Sequence, residues 1–183
     1  PFGLDSISSS TFFPNGVPAG IYPYIVNDNN GCSFTGSVTI TEPTAISASA
    51  TTTNVSCNGG NDGTATLTLS GGTGTLVEDW GIVNPTQLSA GTYNYTITDS
   101  NLCTYTNSVT ITEPLAISAS PTTTNVSCNG GNDGTATLNL SGGTGTLVED
   151  WGTTNPTQLS AGTYNYTITD SNLCTYTNSV TIT

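Results

Sequence analysis

Seventeen residues, TTTNVSCNGGNDGTATL, begin at Thr51 and return unchanged from Thr122. The period is 71 residues and carries Cys57 to Cys128, Trp80 to Trp151, Tyr93 to Tyr164 and Cys103 to Cys174. Between 46–112 and 117–183 four positions differ: Ala50/Pro121, Thr68/Asn139, Ile82/Thr153 and Val83/Thr154. The segment AGIYPYIVNDNNGCSFTGSVTITEPTAISAS fits the frame of AGTYNYTITDSNLCTYTNSVTITEPLAISAS, which makes Cys32 the counterpart of Cys103. The chain therefore divides into a partial repeat at 1–45 and two whole repeats at 46–116 and 117–183. In such an array stability is a sum of units and of the contacts between neighbours.

Twelve carboxylates face no lysine, arginine or histidine, for a net charge of −12. Each must be solvated, bound to backbone N–H groups or held by an external cation. Nucleic acid is excluded as a partner because nothing neutralises phosphate, and anionic membrane surfaces fail likewise. No apolar run is long enough to span a bilayer, and no basic leader precedes one, so no membrane insertion is expected. Opening on Pro1 without any Met reads as a processed product or a window of a longer chain. Low hydrophobicity with net charge suits disorder, but the periodicity does not. In GTYNYTITD, Tyr93, Tyr95 and Ile97 alternate with Thr92, Asn94, Thr96 and Thr98, as in a strand with one buried and one wet face. TATLTLS does the same with Ala65, Leu67 and Leu69.

Short alternating strands separated by Gly, Asn and Pro turns, with no helical period, predict an all-β fold of tandem antiparallel β-sandwiches. The Asn30-Gly31 pair in NDNNGC predicts a tight hairpin. Later copies read TDSNLC, so Asn101 and Asn172 are expected to take the left-handed conformation there. The linker ITEPLAIS has one Pro and no Gly, and a stiff linker predicts a rod. A domain of about 70 residues is marginal without a staple, and cysteines without CxxC or His spacing fit disulfides in an oxidising compartment. Spacing does not choose the partners. Cys57–Cys103 closes a loop of 46 residues and Cys32–Cys57 one of 25, worth about 4 and about 3.5 kcal/mol.

The ordered landmarks VSCNGGNDGTATLTLSGGTGT, Trp80, LSAGTYNYTITDSNLC and VTITEP resemble the SprB-type repeats of secreted surface adhesins of gliding Bacteroidota. The likeness covers both whole repeats and the partial one. It departs where the family has a PPY.Y.W run, here Thr73–Asp79, and where Leu102 and Leu173 stand in place of a Gly before the second cysteine. The resemblance implies immunoglobulin-like domains, an extracellular, cell-surface location, and adhesion or filament formation. It also implies pairing within each repeat, Cys57–Cys103 and Cys128–Cys174, which leaves Cys32 unpaired. The expected function is a structural or adhesive stalk segment of a multi-repeat adhesin or extracellular filament, its partners being neighbouring repeats, identical chains or surface glycans. The alternative is a carbohydrate-binding or ice-binding module using the outward face of Thr92, Thr96 and Thr98.

The AGTY segments place Tyr22, Tyr93 and Tyr164 where sandwiches bond a Tyr hydroxyl to the corner backbone. Trp80 and Trp151 read as core aromatics, with a contact surface beside Glu78 and Asp79 as the other reading. Asp62, Asp99, Asp133 and Asp170 are candidate Ca²⁺ ligands, against the simpler reading that Asp closes turns on its own backbone; no cofactor is otherwise expected. Acceptor triplets for N-glycans begin at Asn54, Asn94, Asn125, Asn139 and Asn165, and Asp5-Ser6-Ile7 resembles a Bacteroidota O-glycosylation acceptor at Ser6. No enzyme is expected, since no His or Lys is available to activate a nucleophile and the adjacent Glu78 and Asp79 point to opposite faces of a strand.

Overall fold

A computed structural model describes residues 16–183, and among these the fold is all-β with no helix. A first hairpin joins β1 (Gly20–Asn27) to β2 (Ser33–Ile40). The first whole repeat holds β3 (Ser47–Thr53), β4 (Thr64–Ser70), β5 (Val77–Asp79), β6 (Gly91–Thr98) and β7 (Thr104–Ile111). The second repeats this order as β8 (Ser118–Thr124), β9 (Thr135–Ser141), β10 (Val148–Asp150), β11 (Gly162–Thr169) and β12 (Thr175–Ile182). In each whole repeat a two-stranded antiparallel sheet faces a three-stranded one, β3-β4 against β5-β6-β7 and β8-β9 against β10-β11-β12. These are small immunoglobulin-like sandwiches with five strands.

The alternation read from the sequence sets the core. Tyr95 and Ile97 of β6 and Val109 and Ile111 of β7 are buried together with Val55, Ala65, Trp80 and Leu88. The equivalent set around Tyr166, Ile168, Val180 and Ile182 forms a second core. The Trp80 and Tyr95 rings stack at 5.1 Å between centroids with a 43° tilt, and the Trp80 indole N–H donates to Glu78 at 3.2 Å, so the tryptophan is a core residue with one polar tether. Trp151, Tyr166 and Glu149 repeat the arrangement. The expected tyrosine corners are present: the hydroxyls of Tyr22, Tyr93 and Tyr164 donate to the carbonyls of Pro18, Ser89 and Ser160 at 2.8, 3.0 and 3.0 Å. In the β1–β2 hairpin the same face lies open. Val38 is 50% exposed where its counterpart Val109 is 6% exposed.

The hairpin turns differ from the sequence expectation. Each is a five-residue loop opening on Asp28, Asp99 or Asp170, whose carbonyl receives a backbone bond from the residue three positions on. The left-handed position is the fourth, Gly31 at φ 85°, and in the later copies it is held by Leu102 at φ 64° and Leu173 at φ 65°, not by Asn101 or Asn172. The reason is a side-chain clamp. Asp99 Oδ1 accepts from the N–H of both Asn101 and Cys103 at 2.9 Å, which fixes the loop and leaves the reversal to whatever residue lies between. A leucine there costs about 1–2 kcal/mol. Leu102 is 82% exposed and gives up little packing in return. Leu102→Gly should therefore raise stability by about 0.5–1 kcal/mol after glycine's own entropy cost, read as a higher denaturation midpoint in urea at unchanged slope.

Candidate functional site

Two of the cysteines, Cys57 and Cys174, meet at the junction between the two whole repeats, and the geometry there is built by carboxylates. In the first repeat the loop 54–63 after β3 is pinned to the exit of β7. Val55 N–H donates to the Thr112 carbonyl at 3.0 Å, and Asn54 Oδ1 accepts from Thr112 N–H at 3.0 Å. Asp62 closes the loop by accepting from both the N–H and the hydroxyl of Ser56. Two further bonds hold the loop to the linker: Asn58 Nδ2 to the Pro114 carbonyl at 3.0 Å, and Gly59 N–H to Glu113 at 2.6 Å. The linker then meets the second repeat at its double glycine, where Gly143 N–H donates to the Leu115 carbonyl at 2.8 Å. A Cβ on Gly142 would lie 1.9 Å from the Ala116 oxygen, so only glycine admits the linker at this point.

On the other side stands the β11–β12 turn. Asp170 is 4% exposed and accepts from the N–H groups of Thr144, Asn172 and Cys174 at 2.8–2.9 Å. The turn so held directs Asn172 Nδ2 to the Ser56 carbonyl at 3.0 Å and brings Cys174 to Cys57. These two form a disulfide with 5.6 Å between Cα atoms and a sequence separation of 117. Beside it lies a groove of about 390 Å³ whose walls include Cys57, Pro114, Leu115, Ile117, Leu173 and Cys174.

This corrects the pairing implied by resemblance: neither Cys57–Cys103 nor Cys128–Cys174 forms, and Cys32, Cys103 and Cys128 are free and exposed. Within one repeat the two cysteines lie at opposite ends. Cys57 sits on a loop tied to the residues after β7, whereas Cys103 immediately precedes β7, an eight-residue strand of about 27 Å. A disulfide needs Cα atoms within about 7 Å. Cys32–Cys57 fails for the same reason, since Cys32 precedes β2 at the far end of its hairpin. The sequence did hold a signal: the landmarks recur at one period, which allows pairing between successive repeats as readily as within one.

The four aspartates considered for Ca²⁺ are these turn clamps. Burial by itself would push the carboxyl of Asp99 up, but the N–H groups of Cys103, Thr73 and Asn101 outweigh it and hold it below its ordinary value of 3.8. Asp170 is held down in the same way. Asp62 and Asp133 are lowered by the hydroxyl and N–H of Ser56 and Ser127. No three carboxylate or cysteine side chains gather in a metal-binding group among the described residues. The threonine face is also internally paired: Thr92 bonds Thr110 at 3.2 Å and Thr96 bonds Thr106 at 3.3 Å across β6 and β7. Asn94 and Asn165 lie exposed on the same outward faces, opposite Ser108 and Ser179; Ser6 lies outside the described residues.

The SprB repeat model matches the chain twice, at residues 49–75 and 120–146. Each match runs from within β3 or β8 through the cysteine loop to the double-glycine turn, and so takes in two of the parts from which the junction is made. It marks a repeat region of the cell-surface adhesin type. No curated protein and no solved structure matches the chain.

Two outcomes follow from the clamps. Carboxyls whose folded pKa is depressed contribute stability that is complete above their unfolded value and lost as the pH falls through the folded one. With no histidine to titrate, the melting temperature should stay level from pH 8 to pH 5 and fall as the pH drops below 3.8. A thermal-melt series in pH steps checks this. EDTA or added Ca²⁺ should leave the melting temperature unmoved at pH 7, since the clamp oxygens are already occupied by backbone donors; a Ca²⁺-reversible drop would assign them to a metal.

Proposed function

We propose that this chain is a non-enzymatic stalk segment of an extracellular, cell-surface adhesin or filament, in which covalently locked junctions hold successive domains in line and bear tension. The observation that carries the reading is the bridge from Cys57 to Cys174, which ties one core to the next and strengthens neither from within. The linker bonds at Asn58, Gly59 and Gly143 support it, because they fix the approach of the two domains on the same side as the disulfide. The SprB matches support the surface setting. A chain without Lys or Arg also gives trypsin-like proteases no site, which suits an exposed fibre.

Mechanical pulling tests this. The bridge removes the 117-residue separation between Cys57 and Cys174 from the load path, so the oxidised chain stretched from its ends should release about 400 Å less contour length than the reduced chain or Cys57→Ser. Equal lengths would refute a load-bearing bridge. Reduction should leave both repeats folded, with the near-ultraviolet signals of Trp80 and Trp151 retained, because neither core contains a cysteine.

A further inference from the structure

An asparagine followed by glycine is open to attack by the glycine nitrogen on the asparagine side chain, because no Cβ shields that nitrogen. Two such pairs stand in the opening loops of the whole repeats, Asn58-Gly59 and Asn129-Gly130. The loops share one backbone form. Gly59 and Gly130 lie at φ 75° and 78°, and Gly60 and Gly131 N–H donate to the carbonyls of Cys57 and Cys128 at 3.0 and 2.9 Å. Both pairs are exposed, so water reaches each of them.

The linker is what separates them. Asn58 Nδ2 donates to the Pro114 carbonyl at 3.0 Å, and Gly59 N–H donates to Glu113 Oε2 at 2.6 Å. The positions one period on from Glu113 and Pro114 fall beyond Thr183, so Asn129-Gly130 keeps the same loop without these bonds and serves only as the unguarded reference. Ring closure requires the Gly59 nitrogen to lose its proton and the carboxamide to turn toward it. A carboxylate that accepts this N–H stabilises the protonated form and opposes a second negative charge beside itself. The bond to Pro114 ties the carboxamide to another segment, and it has to open before the side chain can turn.

We infer that Asn58 is a self-modification site that the Glu113-Pro114 linker keeps shut, and that it reacts once the linker leaves its seat. The Gly59 nitrogen gives its proton to solvent base and bonds to Asn58 Cγ. The Cγ–Nδ2 bond breaks, ammonia leaves with a proton from water, and a cyclic imide remains. Water then adds to either imide carbonyl and breaks its C–N bond, leaving aspartate or isoaspartate. The new carboxylate has no hydrogen to give the Pro114 carbonyl and faces Glu113 as a like charge, so the linker cannot regain the same seat. While Cys57–Cys174 is closed the linker lies off the load path; once the bridge is reduced, a pull runs through it. Conversion at Asn58 would then mark junctions that lost their bridge under load. That consequence rests on the stalk reading, whereas the site itself does not.

The test holds the oxidised full chain at mildly alkaline pH and follows its chymotryptic peptides, told apart by Ala50 and Pro121. Mass reports conversion of amide to acid, and isoaspartate-specific methylation reports the rearranged product. Asn129 should convert about tenfold faster than Asn58 or more, since two bonds must open before Asn58 can close its ring. Glu113→Ala should bring Asn58 to the rate of Asn129 and leave Asn129 unchanged, with the near-ultraviolet signal of Trp80 retained as the sign of a folded repeat. The comparison within the unchanged chain needs no variant. Equal rates there, Asn58 the faster of the two, or an Asn58 that stays slow in folded Glu113→Ala would each overturn the assignment. The Cys57–Cys174 peptide in an unreduced portion of the digest reports separately on the stalk reading; its absence would overturn that reading and the load consequence, and leave the rates at Asn58 and Asn129 to decide the site.

Discussion

The absence of any cationic side chain decides how this protein is held together. Its carboxylates have no internal salt-bridge partner, and the strong donors left to them are backbone N–H groups. Asp99 and Asp170 each gather three such donors from two separate loops, joining the hairpin turn to the double-glycine turn. Asp62 closes the cysteine loop on Ser56, and Glu113 fixes that loop to the linker through Gly59. A carboxylate bound this way freezes a short loop without a large core behind it. Each clamp lies beside a cysteine or a linker residue, so the same interaction that stabilises the turns also sets the geometry in which Cys57 meets Cys174.

Near-identity of the two repeats acquires a physical reason from the junction. A domain in such an array must present a loop at one end and a turn at the other, and the two surfaces have to fit each other across successive copies. The four differing positions avoid both. Ala50/Pro121 lies in β3 or β8, each of which pairs with one neighbour only, where a missing N–H is tolerated. Thr68 is on the exposed face of β4, and Ile82 is fully exposed after Trp80. None falls among 54–60, 142–145 or 170–175, the segments of the two repeats that build the junction.

Much of the fold was legible because local alternation and turn chemistry specify it. Tyr95, Ile97, Val109 and Ile111 could be placed in the core from their period alone, and the tyrosine corners from the AGTY segments. What failed was information that a local pattern does not contain. The spacing between Cys57 and Cys103 counts residues along the chain and says nothing about which end of a sandwich each one occupies; that depends on a loop bonded to Thr112, fifty-five residues further on. Asn101 was the natural choice for a left-handed residue by its own preference. The Asp99 clamp overrode that preference by fixing the N–H groups on either side of Leu102.

In an array that keeps this pairing, the bridges would do more than align domains. A load entering at one opening-loop cysteine crosses to the turn cysteine of the next repeat, as from Cys57 to Cys174. It then follows the backbone to the next opening-loop cysteine, a step of 25 residues as between Cys103 and Cys128, before crossing again. Two repeats are traversed with about 90 Å of fully stretched chain. The folded strands of two domains laid end to end already occupy about 55 Å before turns and linkers are added. Unbridged, the two 71-residue periods would draw out to about 500 Å. A bridged array has little slack to give even if every sandwich unfolds, so its length is set by connectivity and not by the modest stability of each domain.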